Sequence, residues 1–186
     1  RNGGGPAHIN LITTYSRDFS VRELPPVRAM RRFQAWEKFP DMPKGKIAVY
    51  VGSHNRFSEK QTQAIDRFCA THDALVICDH TSGYYGKYKL LPTLVQLQAN
   101  AVSPFPMLDL MIHIGEVSAA TFAGTIPTKE IWRVSEDGEL RDPFKKLTTV
   151  FQMSEESFFL HYSKEGGKHH EFIDHCKELF VGIYAG

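Results

Sequence analysis

Short, wholly apolar runs alternate with amphipathic stretches along most of this chain. Ile47-Ala48-Val49-Tyr50-Val51, Ala74-Leu75-Val76-Ile77-Cys78 and Leu108-Asp109-Leu110-Met111-Ile112-His113-Ile114 are runs of strand length. Apolar side chains at consecutive positions fit strands covered on both faces, as in a parallel sheet. Glu130-Ile131-Trp132-Arg133-Val134 and Thr148-Thr149-Val150-Phe151-Gln152 predict two more strands, with a turn at Glu136-Asp137-Gly138 between them. Ser58-Glu59-Lys60-Gln61 is a capping box opening a helix, whose buried stripe is Ala64, Ile65, Phe68 and Cys69. Ser154, with Glu155 and Glu156 in the following turn, caps another helix that begins its buried side at Phe158 and Phe159. After a break at Gly166-Gly167, a last amphipathic helix runs from about Lys168 to Phe180, with Phe172, Ile173, Cys176, Leu179 and Phe180 on one face.

The pattern is weaker elsewhere. Ala7 to Ile12 reads as a short strand, and Arg22-Glu23-Leu24-Pro25-Pro26 as a stiff linker. Ala29, Met30, Phe33 and Trp36 predict a weak helix, which Pro40 to Gly45 ends. Leu90 to Gln98 predicts a helix interrupted at Pro92, and small residues fill Ser118 to Gly124. Strands alternating with helices imply an α/β three-layer sandwich around a Rossmann-like, mostly parallel sheet of five or six strands. The expected division is residues 1–45 as the end of a preceding domain and a linker, 46–163 as a central domain, and 164–186 as a helix and onward linker.

Composition narrows the possibilities. Apolar residues make up 42% of the 186, enough for a core, while 22 basic against 21 acidic residues leave a net charge of +1. Such a balance gives no field to attract nucleic acid or an anionic membrane. No apolar run reaches the roughly 20 residues of a transmembrane helix, and the start, Arg1 to Pro6, is not a secretory signal. Cys69, Cys78 and Cys176 are too few for a disulfide scaffold, so a reducing, cytoplasmic setting is expected. A first residue that is not methionine suggests a piece of a longer chain.

In open α/β sheets, ligands sit beyond the carboxyl ends of the strands, where strand order reverses. Gly52, Ser53, His54 and Asn55 lead from a strand into the capped helix, and Gly115 follows another strand, so these are the candidate cofactor-contacting or domain-contacting residues. Neither the G-x-G-x-x-G nor the G-x-x-x-x-G-K-[ST] fingerprint is present, so a plain tight turn at Gly52 competes with a ligand contact. A positive φ at Gly52 would make that turn intolerant of any side chain. Asp79, His80 and Ser82 gather an acid, an imidazole and a hydroxyl in one loop. They are candidates for substrate contact, although neighbours on one loop rarely form a hydrolytic triad and no G-x-S-x-G elbow is present. Arg141 offers a fork for a carboxylate or phosphate, against a local pairing with Asp137, Glu139 or Asp142. His161, His169, His170 and His175 lack metal-motif spacing and read as solvated, and His113 reads as a satisfied strand histidine.

Several phrases together resemble the thiamine-diphosphate-dependent enzymes of the acetolactate synthase type. Gly5-Pro6-Ala7-His8-Ile9-Asn10-Leu11 is similar to the "GPVHINLP" phrase that closes their first, pyrimidine-binding domain. The Gly52 turn before a Ser58-Glu59 helix start, Asp79-His80-Thr81-Ser82-Gly83, and the "PDLVIRIG"-like Leu108 to Gly115 resemble their central domain. Within this superfamily the closest resemblance is to the succinyl-enolpyruvyl-hydroxycyclohexene-carboxylate synthases of the menaquinone pathway, which join decarboxylated 2-oxoglutarate to isochorismate. Their "V-D-x-x-G-R-x-D-P" phrase is similar to the stretch ending Arg141-Asp142-Pro143. The Lys-Arg pair of those synthases has no counterpart in Gly115 to Thr121, so either the substrate differs or another cation such as Arg141 replaces it. The resemblance implies a non-catalytic central domain. Thiamine diphosphate and Mg²⁺ would be held by flanking pyrimidine- and diphosphate-binding domains of a homodimeric or homotetrameric parent. Some relatives hold FAD or ADP in this domain. A stand-alone nucleotide-binding module and a small hydrolase using His80 or Ser82 are the competing readings.

Overall fold

The computed structural model describes residues 28–92, 105–116, 124–164 and 167–184. The strand expected over Ala7 to Ile12, the linker at Arg22 to Pro26, most of the helix expected over Leu90 to Gln98, most of the stretch from Ser118 to Gly124, and Gly166 lie outside them. Seven strands form one parallel sheet: β1 (Arg31–Gln34), β2 (Ile47–Val51), β3 (Leu75–Cys78), β4 (Lys89–Leu90), β5 (Leu108–Ile114), β6 (Thr128–Ser135) and β7 (Leu147–Gln152). Among the described residues three helices accompany them: α1 (Glu59–His72), α2 (Glu155–Tyr162) and α3 (Glu171–Tyr184). The fold is the α/β three-layer sandwich expected, with more strands than the five or six anticipated.

The strand order is β1-β7-β6-β5-β2-β3-β4. Without β1 this is the 3-2-1-4-5-6 order of doubly wound sheets, which reverses between β2 and β5. All five residues of β2 and all four of β3 are buried, because a parallel sheet is covered on both sides. α1 starts as its sequence dictates. Ser58 Oγ accepts from Gln61 N–H at 3.2 Å, and the Gln61 side chain accepts from Ser58 N–H at 2.9 Å. Its buried residues are Ala64, Ile65, Phe68 and Cys69. α1 packs beside α2, with the Phe68 and Phe159 rings 5.2 Å apart. Phe158 of α2 reaches the sheet at Phe151, 4.9 Å away. α3 buries Phe172, Ile173, Cys176 and Phe180.

Two strands correct the sequence reading. The weak helix expected around Ala29 to Trp36 is the edge strand β1, paired in parallel with β7 from Arg31–Thr149 to Gln34–Gln152. Tertiary pairing overrides the local pattern there. Phe33 stacks on Phe151 at 5.6 Å, and Gln34 donates to Gln152 Oε1 at 2.7 Å. Leu90, expected to begin a helix, instead ends the two-residue strand β4 (Lys89–Leu90) at the opposite edge. Arg28, ahead of β1, ion-pairs with Asp142 and donates to the Lys145 carbonyl. Cys69, Cys78 and Cys176 are free and buried, and burial pushes the Cys78 and Cys176 thiols up to about 12. Among the described residues no helix is long and apolar enough to cross a membrane.

Gly52 needs no positive φ; that conformation belongs to Gly45, Gly83, Gly115 and Gly138. Its constraint is proximity, because a Cβ there would stand 1.9 Å from the Glu116 carbonyl oxygen. Gly52→Val is therefore expected to destabilise the protein by about 1–3 kcal/mol through backbone displacement, read as a lowered urea midpoint. An unchanged midpoint would show that the two loops separate freely.

Candidate functional site

Where the strand order reverses, the loops after β2 and β5 are tied directly to each other. Gly52 N–H donates to the Ile114 carbonyl at 3.0 Å. Ser53 N–H donates to the Glu116 carbonyl at 3.0 Å, and Glu116 N–H donates back to the Ser53 carbonyl at 2.8 Å. This antiparallel bridge spans the crevice in which doubly wound sheets receive ligands. His54 N–H donates to the Thr81 carbonyl at 3.0 Å, so the loop after β3 is bound into the same assembly.

Beside the bridge lies a cleft of about 460 Å³, lined by Ser53, His54, Asn55, Gly115, Glu116, Arg133 and residues of the β6–β7 turn and the α2 start. Glu155, the first residue of α2, links its parts. One carboxylate oxygen accepts from Gly115 N–H at 3.3 Å, and the other stands 3.2 Å from His54 Nε2. Burial opposes charging of the His54 ring and is the largest single influence, yet Glu155 and the Asn55 carbonyl together raise its pKa above 6.5.

Deeper in the same end of the sheet, His113 and Arg133 are adjacent partners across β5 and β6, each 1% exposed. Arg133 Nη1 donates to the Gly115 carbonyl at 3.1 Å and points at His113 Nδ1, 3.4 Å away. Burial first, then the Arg133 and Arg141 charges, push the His113 ring down to about 3. The ring is thus neutral, and with Nδ1 facing a donor its proton belongs on Nε2. Only half of the satisfaction expected for this histidine is met, since Nε2 has no partner among the described residues. Arg133 Nε also lacks one. The strand residues around Arg133 are placed by a register shift between Ile131 and Trp132, an irregularity of the kind that re-aims side chains near sites.

The other expected residues are placed as follows. Asp79 and Ser82 form a buried knot that shapes their own loop. Ser82 Oγ accepts from Asp79 N–H at 2.8 Å and donates to the Val51 carbonyl at 2.6 Å, while Asp79 Oδ1 accepts from Thr81 N–H at 2.6 Å. That hydroxyl is spent on the backbone, which counts against its use as a nucleophile. His80 is exposed beside the knot. None of these three lines the cleft, and neither does Gly52, which donates to the Ile114 carbonyl next to the bridge. Arg141 takes the local pairing: it bonds Glu139 at 2.8 Å, Asp137 at 3.2 Å, and Glu116. His161 packs on Phe39 and His170 on Tyr88. Among the described residues no group of three His, Cys, Asp or Glu side chains could hold a metal ion. The N–H groups of Gly52, Ser53, His54, Gly115 and Glu116 already have acceptors, so none of these five is free to receive a phosphate. Sequence reasoning missed Arg133 and Glu155 as site residues; the available signal was a cation inside an apolar strand run and an acid at a helix start.

No protein-family model matches this chain. Over 178 residues it is 26% identical to a 2-succinyl-5-enolpyruvyl-6-hydroxy-3-cyclohexene-1-carboxylate synthase of Bacteroides thetaiotaomicron, an alignment covering 82% of this chain and 30% of that protein. The chain thus spans under a third of the length of this curated relative.

Two opposite pH dependences are expected. His54 has a folded pKa above 6.5, so the Glu155 contact contributes fully below pH 6.5 and is lost as pH rises through the folded value. His113 resists protonation when folded, so stability falls as pH drops from 6.5 toward about 3, where only the unfolded ring gains a proton. Ring titration by NMR should show the His54 pKa falling in Glu155→Gln while His113 stays neutral at mildly acidic pH. A His54 pKa unmoved by Glu155→Gln would exclude the carboxylate as its cause.

Proposed function

We propose that this chain is the central, non-catalytic domain of a thiamine-diphosphate-dependent 2-oxo acid decarboxylase and carboligase. Within that class it is assigned to a menaquinone-pathway synthase coupling 2-oxoglutarate to isochorismate. Three supports converge. The sequence phrases resemble that family along most of the chain. The similar synthase aligns with 82% of it. The sheet order is of the doubly wound type such a domain requires.

The observation that carries the non-catalytic part is the bridged crevice. Polar groups that could act on a ligand there are engaged in joining the loops, with Glu155 on His54 and Gly115, and Arg141 on three carboxylates. In the parent, thiamine diphosphate with Mg²⁺ supplies the electron sink for decarboxylating a 2-oxo acid. The residues of this chain do something different: they hold a rigid layer to which pyrimidine- and diphosphate-binding domains attach, in a homodimer or homotetramer. An acetolactate-synthase-like parent is the neighbouring alternative within the class. The stand-alone nucleotide module is less well supported, because the loop amides are already bonded.

The test has two arms. Calorimetry of the isolated chain with thiamine diphosphate and Mg²⁺ should give no measurable heat of binding, and micromolar affinity would overturn the assignment of the cofactor to other domains. The complete gene product, supplied with both, should consume 2-oxoglutarate and isochorismate. Turnover of pyruvate alone would move the assignment to the acetolactate type, and no turnover of any 2-oxo acid would overturn the class.

A further inference from the structure

The outer margin of the sheet at β1 leaves a large aromatic side chain in water. Trp36, in the turn that follows β1, is 82% exposed, and among the described residues no other large apolar side chain is as exposed. Met30, just ahead of β1, is exposed as well. The turn that carries the indole is well bonded. Glu37 N–H donates to the Gln34 carbonyl at 3.0 Å, and the Glu37 carboxylate accepts from Gln34 N–H. Those bonds occupy main-chain groups at the end of the edge strand, which hinders addition of a further strand there. What the margin offers is side chains. Beside β1 lies a hollow of about 250 Å³, whose lining includes Phe33, Pro40, Trp132, Arg31 and Glu130. Arg31, Arg32 and Lys38 are exposed and have no carboxylate partner among the described residues. The nearby acids are occupied, Glu37 by Gln34 and Glu130 by the Thr148 hydroxyl at 2.9 Å.

We propose that the β1 margin is a docking surface for an acidic protein, which covers the Trp36 indole with apolar groups and sets carboxylates against Arg31, Arg32 and Lys38. Trp and Arg are the side chains that most often carry the binding energy of protein interfaces. The hollow beside β1 gives a partner side chain a place to enter. Charge selects the partner. A second copy of this chain, meeting the same patch across a two-fold axis, would set these cations against their own duplicates. The three unpaired cations also fall short of the roughly four to eight that a lipid-binding basic cluster brings together. The net charge of +1 adds no wider field for a nucleic acid. A surface bearing carboxylates around an apolar recess answers both the charge and the indole. β7 and β6 separate this margin from the crevice between β5 and β2, so the docking surface does not rest on the thiamine-diphosphate reading.

The test is fluorine NMR of the full chain labelled with fluorotryptophan, at low and constant ionic strength. The chain has two tryptophans, Trp36 and the buried Trp132, so two resonances are expected. Loss of one in Trp36→Phe assigns it, and Trp132 is the internal control. The probe is a random copolymer of glutamate and tyrosine. It should shift the Trp36 resonance saturably and leave that of Trp132 in place. Arg31→Glu combined with Arg32→Glu should weaken the response at least about tenfold with an unchanged urea midpoint. Lys38→Glu, outside the strand, should weaken it in the same direction and serves if the double variant fails to fold. A Trp36 resonance unmoved by the copolymer overturns the proposal. A tighter response to phosphatidylglycerol vesicles or to a single-stranded oligonucleotide overturns it in favour of a lipid or nucleic-acid surface. A shift that follows the concentration of the chain alone overturns it in favour of a second copy.

Discussion

A parallel sheet has to be shielded from water on both of its faces, and the rest of this structure follows from that requirement. The strands are apolar on both sides because α1 and α2 cover one face and other segments close the second. Polar chemistry is displaced to the strand ends. A charged side chain retained toward the carboxyl end of a central strand, as Arg133 is, is then buried by the architecture. His113 and Arg133 sit side by side under that compulsion, one made neutral by its surroundings and the other unable to become so.

Much of this was legible in the sequence for the same reason. Ile47–Val51, Leu108–Ile114 and Leu147–Gln152 are found at or within a residue of where continuous apolar runs place them, and the Ser58 and Ser154 caps open the expected helices. What was not legible depends on partners distant in the chain. β1 has a helix-like spacing of apolar residues, and only Phe151 and Gln152, more than a hundred positions away, make it a strand. β4 is too short to carry any pattern. Gly52 looked like a conformational glycine, while its true restriction is the Glu116 carbonyl across the crevice. The densest polar loop, Asp79 to Ser82, turned out to spend its groups on its own backbone and on Val51, an economy that residue types alone cannot disclose.

Glu155 shows how a site of this fold can be filled from within. Its carboxylate receives an amide of the β5 loop and faces the imidazole of the β2 loop, the two elements that in a nucleotide-binding relative would converge on a bound anion. The helix start thus supplies an acidic group where ligand phosphates otherwise stand. Arg133, buried beside it, donates to the Gly115 carbonyl and lies in the field of Asp137, Glu155 and Glu139.

The pairing of β1 with β7 has a mechanical meaning. Four successive residue pairs run in the same direction along the outer margin of the sheet. Tension applied lengthwise to the segment ahead of Arg31 would load those rungs together, in shear, where a perpendicular pull would peel them one by one. Displacements of whatever precedes this layer would therefore be passed to the whole sheet as a rigid body, with little lost as slack at the joint.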